Sequence, residues 1–417
     1  MPFRASRPRF PAGHRAQCIA LASTAVLLSA CAGLTRGYVG HESPVSPHAH
    51  SLIELGSVDS ILTPLSVARG ASSYTLVRNA GPWRAAVLEL DLRCTALEAS
   101  KGAVTAVGRR TTSGLLAAQP VTTRAIGAVN ADFFLFAPPG VPTNAHVEHG
   151  QLMAGPDTKP VVFVDETGDA HIDTLRAVGS IGSVALTAWN RPSPRTSGIV
   201  DARWGVPIDT ATRRNAWRLE PLSSVHSKGP TVRGRYIVQR AATKDTLVYG
   251  DTLLLHVTTT VNASWQIGDT LTLEMTIRPS RTAKNGQPVQ VRDAVAGRPI
   301  LVRDSVLTTD VNTEGNAGFQ GPNPRTAIGF SRDGKRAWLV VVDGRQPGYS
   351  MGMSLTQTGE LLRMLGATEG INLDGGGSSA LVVRDPESGA GVLRNRPSDP
   401  SERPVGNALI ASARCGW

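Results

Sequence analysis

A glycine-rich turn between two short apolar segments, within residues 369–383, is the feature that most constrains this fold. Apolar and polar residues alternate over 371–374, so a strand there places Asn372 and Asp374 on one face. Glycines follow at 375–377, and glycine adopts backbone conformations that other residues avoid. The pattern predicts a strand, a tight turn and a second strand, with a carboxylate beside the turn.

The same turn offers the elements of a binding site. Consecutive backbone N–H groups in such a turn can form an anion-binding nest, and the hydroxyl groups of Ser378 and Ser379 follow directly. A carboxylate, an amide and an anion cradle would then lie within a few residues of each other. The alternative is a glycine hairpin that carries a solvated aspartate.

The rest of the chain favours strands over helices. Its 417 residues include 43 glycines and 28 prolines, and short alternating segments predict a β-rich subdomain at about 172–290. One helix is predicted at about 355–365, where Ser354 and Gln357 match a capping box. The expected fold is therefore α+β, with mostly antiparallel sheets and a few helices.

Residues 1–30 predict an export signal. Four arginines precede an apolar segment at 19–30, which is too short to span a bilayer. The segment ends in Leu-Ser-Ala-Cys, which resembles the lipobox of bacterial lipoproteins and predicts a lipid on Cys31. An ordinary secretory signal cut near Ala30 or Ala32 is the alternative. Either signal predicts an exported protein, and the lipid predicts a membrane anchor in the periplasm or at the cell surface.

Export changes what the remaining composition implies. Residues 31–70 are expected to form a flexible tether and 71–417 the folded domain. The net charge falls from +10 to roughly +6 after removal of the signal, an excess too small to imply nucleic acid as a partner. Cys94 and Cys415 are then the pair available for a disulfide, with two free thiols as the alternative.

A metal site is not predicted. His146 and His149 are three residues apart, but prolines beside them argue against a helix, and no third ligand follows. No cofactor is expected either.

Two aspartates close strands in the C-terminal third. Asp343 ends the apolar strand at 337–342, and Asp374 ends the strand after the predicted helix. A strand–helix–strand unit would bring these two strand ends near each other, where binding and catalytic groups are commonly found.

Several motifs together resemble the phosphodiester glycosidase family, whose bacterial members include proteins assigned to exopolysaccharide biosynthesis. The matching segments lie at 323–329, 342–345, 350–355, 372–378 and 403–407. The resemblance spans roughly 80–415 and is strongest from Ala294 onward. It implies hydrolysis of the bond between the anomeric carbon of a sugar and a phosphate oxygen, which releases free sugar and a phosphomonoester.

This resemblance assigns roles to individual residues. Asp374 and Asp343 are the expected catalytic carboxylates, and the arginines suit a phosphate. The residues expected to bind the substrate and its phosphate are Asn130, Asp132, Arg325, Thr326, Gly344, Arg345, Ser354, Asn372, Gly375, Gly376, Gly377, Ser378, Arg403 and Asn407. Asp132 stands where the family usually has glycine, and Arg298 adds a guanidinium to another family motif.

Two other functions fit the same residues. A lipoprotein without catalytic activity could bind anionic glycans through the arginines and the glycine turn. A phosphodiesterase could instead hold a metal ion on Asp343 and Asp374, and would then depend on a divalent cation. The sugar, the group bonded to its phosphate and the oligomeric state are left open by the sequence.

Overall fold

The computed structural model describes residues 45–415, except 210–211, 213–214, 223–225, 229–230, 242–246 and 262. The signal at 1–30 and Cys31 lie outside the described residues. No helix in the described part is both long and apolar enough to cross a membrane.

The helices are short and the strands are many. The described α-helices are α1 Pro47–Glu54, α2 Thr112–Ala117, α3 Asp310–Thr313, α4 Ala317–Gln320 and α5 Leu355–Met364. The strands of the first half are β1 Ser60–Ala68, β2 Ala71–Arg78, β3 Trp83–Asp91, β4 Thr95–Ser100, β5 Ala125–Asn130, β6 His146–Glu148, β7 Gln151–Ala154, β8 Pro160–Asp165, β9 Ala170–Ile181, β10 Val184–Ala185, β11 Ala188–Trp189 and β12 Gly198–Val200. Those of the second half are β13 Ala216–Pro221, β14 His226–Lys228, β15 Thr231–Ala241, β16 Leu253–His256, β17 Thr270–Pro279, β18 Ala283–Lys284, β19 Gln287–Pro288, β20 Val291–Ala296, β21 Ile300–Arg303, β22 Val306–Leu307, β23 Arg325–Phe330, β24 Arg336–Val342, β25 Glu369–Asn372, β26 Leu381–Arg384, β27 Gly391–Leu393 and β28 Ala408–Ala413.

An eight-stranded sheet forms the centre of the fold, in the order β1-β2-β3-β24-β23-β25-β21-β22. Helix α5 covers one face of this sheet, because Leu361 and Leu362 are buried in one cluster with Trp338 of β24. Ser354 and Gln357 cap the helix reciprocally, as the sequence predicts. The predicted helix and the antiparallel sheets are confirmed, although the fold is predominantly β.

A five-stranded sheet, β27-β26-β5-β28-β4, packs on the other face of the eight-stranded sheet. Leu88 and Ile328 from the larger sheet share a core with Val129 and Leu409 from the smaller one. Helix α2 covers the outer face of the smaller sheet through Leu116 and its neighbours. The result is four layers in the order helix, sheet, sheet, helix.

The middle of the chain forms a separate sheet of thirteen strands within the described residues, which includes β8, β9, β15, β17 and β20. It has its own buried core, centred on large side chains such as Phe163, Trp189 and Tyr236. Every described strand pair is antiparallel apart from β11 with β12. The loops between β7 and β8 and after β11 extend from this sheet.

The folded part begins earlier than the sequence predicts. Helix α1 and strand β1 lie inside the segment at 31–70 that reads as a flexible tether. Ser46 caps α1, while Ala49 and Leu52 are buried in the cluster that also contains Trp338. The proline and histidines of this segment suggest a linker, but a proline at the start of a helix is favourable. The tether prediction is therefore wrong from residue 47 onward.

A disulfide joins the two cysteines of the folded part. Cys94 and Cys415 are bonded, with their Cα atoms 4.8 Å apart and 321 positions apart in sequence. Cys94 immediately precedes β4 and Cys415 follows β28, and these strands are neighbours. The bond therefore fastens the last strand to one of the first.

Strands β24 and β25 end on the same side of the eight-stranded sheet. Val342 of β24 pairs with Arg325, and Asn372 of β25 pairs with Ala327 on the other side of β23. Asp343 and the Asp374 turn therefore follow strands that end on the same side of the sheet, with β23 between them. The strands β24 and β25 are two strand spacings apart, which corresponds to roughly 10 Å.

The capping role of Ser354 can be separated from a substrate-binding role. Ser354→Ala removes the acceptor for the Gln357 N–H and should lower the free energy of unfolding by about 1 kcal/mol. Urea unfolding measures this change, and exposed Glu360 of the same helix supplies the control variant Glu360→Ala. Unchanged stability with a raised KM would instead support the substrate contact that the sequence suggests.

Candidate active site

The turn after β25 is held by backbone contacts on two sides. The Asp374 N–H donates to the Ala131 carbonyl at 2.8 Å, and the Gly376 N–H donates to the Pro324 carbonyl at 2.9 Å. A Cβ atom at Gly375 would lie 2.7 Å from that same Pro324 oxygen, and Gly376 has a φ of +63°. Glycine is required at both positions, so the turn is specified by sequence.

Asn130, at the end of β5, joins this turn to both sheets. Its amide N–H donates to the Asp374 carbonyl at 2.6 Å. Its amide oxygen accepts from the Thr326 hydroxyl at 2.7 Å and from the Ala380 N–H at 3.0 Å. Asn130 and Thr326 are fully buried. The two residues that the sequence assigns to substrate binding therefore act as scaffold.

The predicted anion nest is largely closed. The Gly376 N–H is already bonded. The Ser378 N–H donates to the Gly375 carbonyl, and the Ser379 N–H donates to the Gly376 carbonyl. The Gly375 N–H favours the charged form of the Asp374 carboxyl and holds its pKa down. The turn therefore stabilises an anion that belongs to the protein, and its amides are poorly available to a phosphate.

Asp374 has a second carboxyl group beside it, that of Asp132. Asp132 is 1% exposed and accepts a hydrogen bond from the Thr143 hydroxyl at 3.3 Å. Burial, with a smaller contribution from the negative charge of Asp374, raises the pKa of Asp132 to about 8 against the hydrogen bonds from Asn144 and Thr143. Burial also raises the pKa of Asp374, to about 6, against the opposing effects of Ser378 and Gly375. The Ser378 hydroxyl lies near this carboxylate but makes no well-formed hydrogen bond to a described residue.

The two environments separate the protonation states of this pair. At neutral pH Asp374 is mostly ionised and Asp132 mostly protonated, because two adjacent carboxylates in a buried site do not both carry charge. Such a division commonly marks an active site. Asp374 keeps the role of candidate catalytic carboxylate.

Asp343 lies apart from this pair. Its carboxylate accepts hydrogen bonds from the Arg396 N–H at 2.8 Å, Asn395 at 3.2 Å and the Tyr349 hydroxyl at 3.2 Å. Burial raises the pKa of Asp343 to about 6, and the main charge acting on it is that of Arg84. The structure therefore places Asp132, not Asp343, beside Asp374, because β23 separates the two strand ends.

Positive side chains surround the Asp374 turn. A Cβ atom at Gly376 would lie 3.3 Å from the guanidinium of Arg345, which is exposed and donates to Asn323 at 3.0 Å. Arg403 packs against Gly377 and forms an ion pair with Asp399 at 2.7 Å.

Arg298 is a site residue to which the sequence assigns no role. Together with Arg403, it lowers the pKa of Asp374. Its guanidinium lies over the rings of Phe133 and Phe319, 5.1 and 5.7 Å from their centroids, and pairs with Glu314. The departure from the family motif at this position is the signal that pointed to it.

Arg325 does not face the turn as a phosphate ligand would. It is 2% exposed, and it donates to the backbone carbonyls of Met353, Phe319 and Gly321. Burial lowers its pKa to about 10. Three backbone carbonyls therefore accept from Nε and Nη2 of this guanidinium, which gives Arg325 a structural role; its expected contact with phosphate stays a prediction.

The remaining expected ligands are mostly internal. Asn372 is buried and donates to the carbonyls of Arg298 and Leu373. Asn407 accepts from the Asp132 N–H at 2.8 Å and donates to His146 at 3.1 Å. Gly344 packs against Pro324, opposite Gly375. These residues position the carboxylates and the turn.

No group of three potential metal ligands occurs in the described part of the chain. His146 is near Glu148, with Nε2 and the carboxylate oxygen 3.3 Å apart. Its Nδ1 is occupied by Asn407, so this pair belongs to the hydrogen-bond network beneath Asp132.

The raised pKa of Asp132 predicts a dependence of stability on pH. A carboxyl group with a higher pKa in the folded state binds its proton more tightly there. The stability that it contributes is therefore complete below pH 4 and is lost as the pH rises to about 8. The free energy of unfolding of Asp132→Asn should decrease less over this range than that of the wild type, by on the order of a few kcal/mol.

Chemical unfolding at pH 4, 6 and 8 measures this difference. Asp304→Asn, at an exposed position, is the matched control and should follow the wild type. Parallel curves for Asp132→Asn and the wild type would contradict the raised pKa.

Comparison with known proteins supports the family that the motifs resemble. Residues 227–412 match the family model of phosphodiester glycosidases, which confirms the resemblance. The match includes Asp374, Arg345 and Arg403 but excludes Asn130 and Asp132. A search of curated proteins found no match.

Two solved structures share the fold, and a third gives a weaker match. A hypothetical protein from Synechocystis is 20% identical, with a TM-score of 0.64, and the match covers 85% of this chain and 64% of that chain. A putative exported protein from Burkholderia pseudomallei is 23% identical, with a TM-score of 0.57 and coverages of 79% and 74%. The zebrafish N-acetylglucosamine-1-phosphodiester alpha-N-acetylglucosaminidase catalytic domain, auto-inhibited by its pro-peptide, is 15% identical, with a TM-score of 0.42 and coverages of 84% and 81%. This chain thus spans less than two thirds of the Synechocystis protein.

Proposed function

We propose that this protein, whose residues 227–412 match the phosphodiester glycosidases, hydrolyses glycosyl-1-phosphodiesters. The products are the free sugar and a phosphomonoester. One observation carries the proposal: Asp374 lies at a glycine turn flanked by Arg345 and Arg403, and its main chain bonds to the segment that carries the buried carboxyl group of Asp132.

Asp374 supplies the negative charge that the reaction needs. The anomeric carbon becomes positive as its bond to the phosphate oxygen breaks, and a carboxylate stabilises this oxocarbenium-like state or attacks the carbon. Water then completes the hydrolysis: its hydroxyl group goes to the anomeric carbon of the sugar and its proton to the released phosphomonoester.

The arginines act on the departing phosphate. Arg345 and Arg403 lie beside Gly376 and Gly377, where a phosphate on the sugar held at Asp374 would reach them. Guanidinium groups bind phosphate oxygens strongly and with defined geometry. Such binding stabilises the developing charge and reduces the need for a strong acid.

The protonation state of Asp132 affects the charge around Asp374. Its neutral form keeps a second negative charge away from Asp374 and from the phosphate. Ionisation of Asp132 above its pKa of about 8 would repel both. We assign it a positioning role, since its carboxyl group is nearly inaccessible to a substrate.

We further propose that the protein acts outside the cytoplasm on a phosphoglycan or related conjugate. The export signal and the lipid expected on Cys31 support this location, and one protein of the same fold is described as a putative exported protein. Cys31→Ser should release the protein from the membrane fraction, and retention of this variant there would refute the lipid anchor.

A product assay tests the reaction. A methyl phosphodiester of N-acetylglucosamine at C1, incubated with the protein and EDTA, should yield free sugar and methyl phosphate. Sugar 1-phosphate would indicate a phosphodiesterase, and loss of turnover with EDTA would indicate a metal. No turnover of a panel of hexose and N-acetylhexosamine phosphodiesters would support a binding protein.

The carboxylate pair predicts the pH dependence of catalysis. The value of kcat/KM should rise as Asp374 ionises near pH 6 and fall as Asp132 ionises near pH 8. Asp132→Asn should remove the alkaline decline while keeping most of the activity at pH 7. Asp374→Asn should lower turnover by at least ~100-fold without a loss of melting temperature, because burial raises the pKa of the Asp374 carboxyl and its charge does not stabilise the fold.

Asp343→Asn is the comparison for these variants. It preserves the shape of a buried side chain that lies apart from Asp374, so turnover should stay within about tenfold of the wild type. Loss of activity in this variant alone would return the catalytic role to Asp343.

The arginines predict a dependence on the leaving group. Arg345→Ala should lower kcat/KM by about tenfold or more for the phosphodiester, and by less for an aryl glycoside of the same sugar. Arg325→Ala should instead lower the melting temperature, because three carbonyls lose their donor. Equal losses of Arg345→Ala on both substrates would show that this arginine has no specific contact with phosphate.

A further inference from the structure

A cavity of about 500 Å³ opens beside the candidate active site, and none of the steps above uses it. It lies between β9, the loop from β7 to β8 and the loop that follows β11. The side chains that bear charges or hydroxyl groups on its wall include Arg176, Arg191, Thr158, Thr187, Ser193 and Thr196. Its volume falls in the range of about 300–1,000 Å³ that is usual for small-molecule sites.

One chain of contacts joins this cavity to the buried carboxyl group. Arg191 on the cavity wall pairs with Asp157 at 3.0 Å, and its charge lowers the pKa of Asp132. The Asp157 N–H donates to the Asn144 side chain. The Asn144 N–H donates in turn to Asp132 at 3.4 Å.

A second chain of contacts leads from Arg298, beside Asp374, to the cavity. Arg298, whose charge acts on Asp374, pairs with Glu314. Glu314 also pairs with Lys159 at 3.5 Å, and the next residue toward the cavity is Thr158, which lines it. Arg298, Glu314 and Lys159 therefore connect the candidate active site to the wall of the cavity.

These contacts place the two groups of arginines at different ends of the carboxylate pair. Arg345 and Arg403 lie at the glycine turn that follows Asp374, while Arg191 is joined to Asp132 through Asp157 and Asn144. A sugar whose C1 faces Asp374 and whose phosphate faces the turn would direct its remaining hydroxyl groups toward the cavity. Any sugars attached through those hydroxyl groups would enter it.

We propose that this cavity binds the sugars that precede the reacting one, so that the protein cleaves oligosaccharide 1-phosphodiesters in preference to those of single sugars. This inference rests on the proposed glycosidase function. The hydroxyl groups of the cavity's threonines and serine, the guanidinium of Arg176 and the Arg191–Asp157 pair suit the hydroxyls of a glycan.

The test compares two substrates that differ only beyond the reacting sugar. Methyl phosphodiesters at C1 of a single sugar and of the corresponding trisaccharide are assayed with the full-length protein, across a panel of hexoses and N-acetylhexosamines. The chemical step is the same for both substrates. The ratio of their kcat/KM values therefore measures what the additional sugars contribute through the cavity. We expect the trisaccharide to be favoured by about tenfold, the equivalent of one charge-assisted contact.

Two variants probe the cavity by opposite means. Arg176→Ala removes a charged group from an exposed position on its wall, and Thr158→Trp fills part of its opening. Both should bring the ratio close to one. Arg235→Ala, at an exposed position on β15 outside the cavity, is the matched control and should keep the wild-type ratio.

The outcomes separate this inference from the proposed function. Hydrolysis of both substrates at equal rates by the wild type, or an unchanged ratio in both cavity variants, would overturn the inference and leave the glycosidase activity intact. Failure of the wild type to hydrolyse any member of the panel would overturn the proposed function, and the inference would fall with it.

Discussion

The amide of Asn130 connects three segments that are far apart in sequence. It holds the Asp374 carbonyl, the Thr326 hydroxyl and the Ala380 N–H at once, in a fully buried position. A buried polar group that loses its partner costs about 1–3 kcal/mol, so this network strongly favours one arrangement. The path of the main chain at Asp374 is consequently set by a fully buried side chain.

The electrostatics of the site follow from that placement. Burial works against the charge of Asp374, while Gly375, Ser378 and the nearby arginines work in its favour. Because charges interact more strongly where water is excluded, small changes in protonation have large effects there. In the reaction that we propose, the Asp374 carboxylate would face the developing positive carbon, and the arginines near it would attract the phosphate.

The sequence identifies the elements around the candidate site, but it does not show which of the named residues are bonded within the protein. Helix α5, its cap and the glycine turn follow from local patterns, and the family motifs lie where β24 and β25 end. Burial is not visible in a motif, so Arg325 and Asn130 read as phosphate and sugar ligands although they bond within the protein. The neighbourhood of Asp132 and Asp374 depends on the pairing of segments separated by more than two hundred residues, which local patterns do not encode.

The position of β28 has a consequence for how the protein is made. This strand lies between β5 and β4 in the smaller sheet, and Asn407, just before it, bonds to the main chain of Asp132. Until β28 arrives, β5 keeps an open edge and Asn130 lacks the sheet that supports it; such long-range pairings form slowly. A chain that is still being synthesised, or still passing through a membrane, has no complete active site. The candidate site around Asp374 is therefore completed only when the last strand of the chain joins the smaller sheet.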